Sequence, residues 1–267
     1  MAVVQRFPLT VFSISFVNLY IVSLIVAGSE TVLINEDISI RANLTAGFVS
    51  LLSFIGYLVA ESLRHKRWYA EIFTIPCALL YYITLPEDIN NDPNFDYMLI
   101  HLAIYLALGI AVFIAPAVGA WQRREYQDQH FYHLLCVIVL SMAEAIVVAF
   151  CAFAAVASIL LSIDLLFDSS NISEDIYLSL WVLLSMFLAP VFFLARFPKD
   201  LPASFTINEQ FLSVVIRFIA LPFIGVYFII LYAYTIKVLA NFSEWPEGIV
   251  TWLVIGFSVF GLSLIHI

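Results

Sequence analysis

Charged residues are scarce in this chain, and their scarcity limits the class of protein it can be. Only 12% of its 267 residues are Asp, Glu, Lys or Arg, whereas 63% are hydrophobic. Soluble domains usually contain about 25% charged residues and about 45–50% apolar residues. A soluble globule of this size could not cover so much apolar surface with so few charges. The composition therefore excludes an ordinary soluble domain and favours a chain whose solvent is the lipid bilayer.

Motifs that carry chemistry are also missing. The sequence contains no phosphate-cradling Gly-rich loop, no H-E-x-x-H or G-x-S-x-G motif and no cluster of Cys and His. Cys77, Cys136 and Cys151 lie inside apolar runs without pairable spacing, so we interpret them as small core residues. The net charge of −9 argues against nucleic acid as a partner. We therefore predict no catalytic residues and no cofactor.

Long apolar runs dominate the sequence. A transmembrane helix needs about 20 mostly apolar residues to cross about 30 Å of hydrocarbon. Seven runs meet this need, at residues 7–27, 43–60, 70–85, 97–120, 131–163, 176–195 and 211–239. A partial eighth begins near Gly248. Strand alternation is absent, so we predict an all-α, polytopic transmembrane helix bundle of seven complete spans plus the partial eighth.

Two of the predicted spans have unusual lengths, and several contain proline. The third is short and contains Pro76, whereas the fifth is long enough that it must tilt, bend or project past the headgroups. Pro116, Pro190 and Pro222 lie in the fourth, sixth and seventh spans. Each proline removes a backbone donor, so each is expected to disturb its helix.

The connections between the runs predict the orientation. Basic residues concentrate at the N-terminus and in every second connection: Arg6, Arg64, Lys66, Arg67, Arg123, Arg124, Arg196 and Lys199. The remaining connections are acidic and contain only Arg41 and Lys237 as bases. Because basic connections stay in the cytoplasm, we predict a cytoplasmic N-terminus and acidic loops facing the periplasm or exterior. We interpret the first span as a retained helix, since its apolar run exceeds the 7–15 residues or so of a signal-peptide core.

Glu144 is the acid placed deepest within a predicted span. A carboxylate in hydrocarbon is costly, so it must be protonated, paired or in contact with water, and it is a candidate functional residue. It shares a helical stripe with residues that are small or weakly polar: Cys151, Ala155, Ser158 and Ser162. Both a functional site and close helix packing fit this pattern.

Other polar residues of the predicted spans are further candidates. Arg217, near the inner end of the seventh span, can snorkel to the headgroups or pair with Glu144. Asn18 in the first span is expected to bond across helices. His130 and His133 share one face at the start of the fifth span, where they are candidate ligands for a divalent metal, although no third ligand has a fixed spacing.

Short motifs in the chain resemble a known family. They lie at residues 230–234 (I-L-Y-A-Y), 245–248 (W-P-E-G) and 252–258, with further matches at 188–190, 196–198 and 6–8. Together they resemble the bacterial integral-membrane family called domain of unknown function 4153. The resemblance implies a polytopic protein of the bacterial inner membrane, in a family without an established activity whose members continue past the end of this chain.

The last six residues, 262–267 (L-S-L-I-H-I), match the translation of a common transposon-end sequencing adapter. We therefore expect a single transmembrane helical domain over residues 1–261, cut short and followed by a non-native tail.

These features leave more than one function open. The leading expectation is a non-enzymatic inner-membrane protein. It would be either a permease-like pathway for a small solute or a component of an envelope assembly with a membrane-protein partner. The alternative is a membrane-embedded enzyme acting on lipid or lipid-linked substrates, because the basic connections could contact anionic headgroups.

Overall fold

The structure, a computed structural model, describes residues 2–27, 36–86, 96–122, 128–167, 173–197 and 216–240, together with Ile255. These residues form helices joined by short turns, and no strand occurs among them. The all-α prediction is confirmed. The predicted eighth span (except Ile255) and the tail at 262–267 lie outside the described residues.

The helices follow one another along the chain with three irregular turns between them. They are α1 Ala2–Arg6, α2 Pro8–Ala27, α3 Glu36–Ser62, α4 Trp68–Thr84, α5 Asp96–Ile114, α6 Val118–Gln122, α7 Asp128–Phe167, α8 Glu174–Leu183, α9 Ala189–Arg196 and α10 Leu221–Ala240. A 3-10 turn at Ala115–Ala117 joins α5 to α6. Wider π-helical turns lie at Leu184–Leu188, before α9, and at Ile216–Ala220, before α10.

The irregular turns coincide with prolines inside the predicted spans. Pro116 lies within the 3-10 turn, and Pro190 and Pro222 each follow a π-helical turn by two residues. A proline removes one N–H donor and clashes with the carbonyl four residues earlier, so the preceding helical turn must change its pitch. Pro76 lies inside α4, which continues through it.

Five helical segments are long and apolar enough to cross a membrane: Pro8–Val26, Ile38–Ser62, Leu99–Ala117, Phe131–Leu166 and Glu174–Arg196. Each overlaps a predicted span. Large apolar side chains on them are open to the surroundings, for example Leu19 at 69%, Leu106 at 60% and Phe150 at 60% exposure. Such surfaces suit lipid and not water. The protein is therefore a membrane protein.

The predicted third and seventh spans are not among these five. α4 has 17 residues, or about 25 Å of helix, and the apolar part of α10 is Leu221–Lys237. The predicted fifth span, by contrast, is longer than expected, since α7 has 40 residues and is about 60 Å long. Length and hydropathy of the described helices thus support five spans directly.

The described contacts group into two compact units. The first comprises Met1–Ile146 and Ser185–Thr206, and the second comprises Val147–Leu184 and Ile207–Ile267. The core of the first unit is a set of buried apolar residues: Phe7, Phe54, Tyr57, Leu58, Ala70, Val112, Ala115, Leu134, Ile138, Leu194 and Phe197. Its rings meet edge to face, with 5.3 Å between the centroids of Phe54 and Phe7 and also of Phe54 and Phe197.

Helix α3 is the centre of the first unit. α2 runs antiparallel to it, because Thr10 Oγ1 lies 2.8 Å from Ser53 Oγ while Phe7, three residues earlier, meets Tyr57, four residues later. At the C-terminal end of α3, a Cβ on Gly119 would lie 2.0 Å from the carbonyl oxygen of Ser62. Only glycine permits this approach of α6.

In the second unit, α10 contacts the C-terminal half of α7. Lys237 Nζ donates a 3.2 Å hydrogen bond to the carbonyl oxygen of Leu166, one of the last carbonyls of α7. A base at this position also complements the negative end of the helix dipole. Phe153 and Trp181 pack edge to face with 5.1 Å between ring centroids, which joins α8 to α7.

Candidate functional site

Arg6 forms a buried ion pair where α1 meets α2. The residue is 6% exposed, and its Nη2 lies 2.6 Å from Glu61 Oε2 while Nε donates to Oε1 at 3.0 Å. Nη1 donates to the carbonyl oxygen of Phe197 at 2.7 Å. A guanidinium matches a carboxylate in this bidentate way, and its remaining donors reach other acceptors. One side chain therefore links the end of α1 to the end of α3 and to the residue that follows α9.

Neighbouring groups extend this arrangement, which we call the Arg6 cluster: Arg6, Glu61, Arg67, Tyr57 and Glu71. Arg67 is half-exposed, with Nη2 3.6 Å from Glu61 Oε1 and Nη1 donating to the carbonyl of Gln5 at 3.0 Å. The Tyr57 hydroxyl donates to Glu71 Oε1 at 2.9 Å. The two acids of the cluster therefore both have partners: Glu61 pairs with arginines, and Glu71 accepts a hydrogen bond from a tyrosine.

From the sequence, Arg6 and Arg67 are predicted only to set the orientation, and their carboxylate partner Glu61 is missed. Glu61 was the available signal, since it is an acid at the basic end of the second predicted span. An acid in that position invites a search for a basic partner on a neighbouring helix.

Glu144 is paired with Arg196. Arg196 Nε donates to Glu144 Oε2 at 3.0 Å, and Nη2 lies 3.0 Å from the same oxygen. The two side chains are 10% and 16% exposed. Pairing was one of the three states expected for this acid, but the partner considered was Arg217, and Arg196 was assigned to a basic connection. The missed signal is that Arg196 ends an apolar helix.

The two ion pairs meet at the end of α9. Arg196 binds Glu144, and the next residue, Phe197, accepts the hydrogen bond of Arg6. The end of α9 is thereby linked to α7 through Arg196, and to α1 and on to α3 through Phe197. Such an arrangement can fix helices in register.

The other predicted candidates lie on α2, on α7 and in the turn before α10. Asn18 is 2% exposed within α2, in keeping with a bond across helices. Arg217 lies in the π-helical turn before α10 with an exposed side chain. His133 is half-buried, with its ring edge to face with Tyr132. His130 lies in α7, but its side chain is outside the described set.

No group of three or more metal-ligating side chains occurs among the described residues. The small-residue stripe of α7 is also uneven: Ser162 is 2% exposed, whereas Ser158 is exposed. Each donates to a carbonyl of its own helix four residues earlier, at 2.7 Å and 2.6 Å respectively. This bonding satisfies the hydroxyls within the helix, which fits packing.

At the opposite end of α3 the polar contacts are different, and we call them the His101 cluster: Tyr81, His101, Tyr105, Phe48 and Arg41. The Tyr81 hydroxyl hydrogen-bonds the His101 ring, and Phe48 stacks on Tyr81 with 4.2 Å between centroids. Tyr105 donates to the carbonyl of Leu44 at 2.9 Å. This cluster joins α3, α4 and α5.

A cavity of about 460 Å³ lies inside the first unit, bordered by α2, α3, α5, α7 and the segment from the π-helical turn into α9. Ligand pockets typically measure about 300–1,000 Å³. Most of its lining is apolar, and the lining hydroxyls of Thr10 and Ser50 are bonded to Ser53 and to the Gly47 carbonyl. The cavity is partly open at the surface of the unit, where the lining residues Met142 and Met186 are exposed.

A comparison with known proteins finds a distant relative. The chain is 24% identical over 230 residues to an uncharacterized protein of Pasteurella multocida (strain Pm70). The match covers 85% of this chain but 37% of that protein, so the chain spans little more than a third of the relative's length. No family model matches the chain. No solved structure matches it.

Proposed function

We propose that this chain is a multi-pass protein of the bacterial inner membrane that acts as a structural component of an envelope assembly. The observation that carries the proposal is the ion pair between Glu144 and Arg196. A carboxylate that couples proton movement to transport must exchange protons with water and change partners during the cycle. Here the carboxylate is buried and its charge is balanced by a guanidinium, which favours a role in holding helices together over a proton-coupled permease.

The proposal includes seven spans, with α4 as a short one. α4 lies antiparallel along most of α3, because Tyr57 bonds Glu71 near one end and Arg41 bonds the carbonyl of Tyr82 near the other, at 3.1 Å. A helix that accompanies a membrane-crossing helix from one end to the other crosses the same layer. This supports counting α4 as a span.

The outward face of α4 also suits lipid. Its large apolar side chains are 56–66% exposed: Ile72, Phe73, Ile75, Leu79, Leu80 and Ile83. At about 25 Å the helix is a little shorter than the hydrocarbon layer. A small local thinning of the bilayer accommodates such a difference at modest cost.

The ion pair can be tested with Glu144→Gln, Arg196→Gln and the double variant. Removing one partner leaves the other charge buried, so each single change should lower the free energy of unfolding by about 3–5 kcal/mol. The double variant should lose less than the sum. Unfolding of the purified protein in detergent gives these values, and Glu174→Gln, at an exposed acid on α8, is the control.

The permease alternative predicts a different result from the same variants. Glu144→Gln would then unfold like the unaltered protein but abolish acid-driven proton uptake into proteoliposomes, measured with a pH-sensitive dye. That pair of results would overturn the structural role. The assembly itself is tested by extracting the protein from its host membrane with mild detergent: migration at the mass of one chain would contradict it.

Cysteine labelling tests the proposed orientation. Cys77, Cys136 and Cys151 are first replaced by alanine, and Lys66→Cys is introduced in the exposed turn after α3. We expect an impermeant maleimide to reach Lys66→Cys only after the membrane is opened, whereas Asp92→Cys in an acidic connection should react in intact cells. Reaction of Lys66→Cys in intact cells would invert the topology.

Membership of the family called domain of unknown function 4153 remains part of the proposal and rests on the motifs quoted above. The alternative of a lipid-modifying enzyme also stays a prediction. Its support is the basic turn at residues 64–67, where Arg64, His65, Lys66 and Arg67 are all exposed.

A further inference from the structure

We propose that the cavity of the first unit binds one acyl chain of a membrane phospholipid. This goes beyond the assembly role and does not depend on it. The cavity, of about 460 Å³, is bordered by residues of five different helical segments. What it holds can be inferred from its position, its lining and its wall.

The position is at the depth of the hydrocarbon layer. Every residue that lines the cavity belongs to one of the five segments long and apolar enough to cross the membrane. The medium that surrounds such segments is acyl chain. An opening among them therefore meets lipid tails at far higher concentration than any dissolved molecule.

The lining suits a tail and not a polar solute. Ile14, Leu51, Val112 and Ile138 are among its apolar side chains, and Met142 and Met186 add flexible thioethers that adapt to an irregular chain. Three residues of the lining carry hydroxyls: those of Thr10 and Ser50 are bonded within the protein, and Ser185 also makes an interaction there. A polar solute would lose its hydration without gaining comparable bonds here.

The wall of the cavity contains a glycine at which a larger side chain can be introduced to test lipid binding. Gly109 lines the cavity, and a Cβ built on it would meet nothing within 4 Å. The first atom of a larger side chain therefore meets no neighbour at this position. Gly225 in α10 also has nothing within 4 Å of a built Cβ, and it does not line the cavity. Gly225→Leu is therefore a matched control for Gly109→Leu.

The experiment counts phospholipids retained by the purified full chain, using native mass spectrometry and quantitative lipid extraction after mild delipidation. We expect the unaltered chain and Gly225→Leu to retain about one phospholipid more per chain than Gly109→Leu. Readdition of phosphatidylethanolamine should raise the unfolding temperature of the first two proteins more than that of Gly109→Leu. Met142→Trp, which fills the cavity from α7, should behave like Gly109→Leu and serves if that variant does not fold.

Equal phospholipid counts in all of these proteins would overturn the proposal, as would an unaltered chain that retains none. In that case a protein segment or a small solute would be the occupant. Because lipid is counted per chain, loss of the assembly would leave these counts unchanged, so failure of the two proposals is distinguishable.

Discussion

The two ends of α3 are held in chemically different ways. At the C-terminal end, the Arg6 cluster uses formal charge, with Arg6 Nη2 2.6 Å from Glu61. At the N-terminal end, the His101 cluster contains no carboxylate and relies on hydrogen bonds and stacked rings, and its base Arg41 lies over the ring of Tyr82 at 4.7 Å while donating to the Tyr82 carbonyl. The C-terminal end of α3 is thus held mainly by ion pairs, and its N-terminal end mainly by aromatic contacts.

This difference predicts how much stability is lost when a residue at either end of α3 is replaced. Removing one member of a buried ion pair leaves an uncompensated charge, whereas removing one neutral hydrogen bond costs about 0.5–1.5 kcal/mol. The end that carries the Arg6 cluster should therefore tolerate change less well. Three sets of substitutions test this expectation, and they are ordered by the size of the effect.

The largest effect is expected at the glycines that bring helices close to α3. In Gly119→Ala the new Cβ would lie 2.0 Å from the Ser62 carbonyl, which is backbone and cannot turn away. In Gly47→Ala it would lie 2.7 Å from the Tyr105 hydroxyl, the far end of a movable side chain. We expect a loss above about 4 kcal/mol for Gly119→Ala and about 1–2 kcal/mol for Gly47→Ala.

Unfolding of the purified variants in mixed detergent gives both values. Gly109→Ala is the control, since its Cβ meets nothing, and a helix gains slightly from alanine. Equal losses at Gly119 and Gly47 would show that the two ends are equally rigid.

The next effect is expected from the Arg6 cluster itself. Arg6→Gln should cost about 3–5 kcal/mol, because Glu61 would remain partly buried without its main partner. Arg67→Gln removes a half-exposed base 3.6 Å from the same acid and should cost about 1 kcal/mol or less. Thermal melting at low and high salt separates them, and a loss from Arg67→Gln as large as that from Arg6→Gln would contradict the ranking.

The smallest effect is expected at the His101 cluster. Tyr105→Phe removes one donor from the Leu44 carbonyl and leaves the ring in place, so it should cost about 1 kcal/mol. Tyr20→Phe, in α2 outside both clusters, is the control. A loss above that of Arg6→Gln would reverse the comparison between the two ends.

Structural features that depend on residues close together in the sequence were predicted correctly. The apolar runs predicted helices at the places where they occur, and Pro116, Pro190 and Pro222 predicted the disturbed turns. α4 differs, because its 17 residues fall short of a full span by length. The proposal that it is a span rests on its contacts along α3 and on its exposed apolar face, and contacts with another helix cannot be read from the hydropathy of α4 itself.

The candidate site was predicted in part. The sequence singled out Glu144 because an acid within an apolar run is conspicuous, and the structure gives it a partner. Arg196 was not predicted as that partner, since it lies 52 residues away and looks like an ordinary basic connection. The cavity could not be predicted from the sequence, because most of its lining residues are apolar residues like those elsewhere in the helices.

The sequence by itself determined that the chain is surrounded by lipid, that it is helical, and where along the chain its helices lie. The reason is that the free energy of transferring an apolar run into lipid adds up over neighbouring residues. Tertiary structure alone decided which charges meet. Arg6 and Glu61 are 55 residues apart, and their pairing depends on which faces of two helices come together. Tertiary packing also created the cavity, because the cavity is the space left between five helical segments.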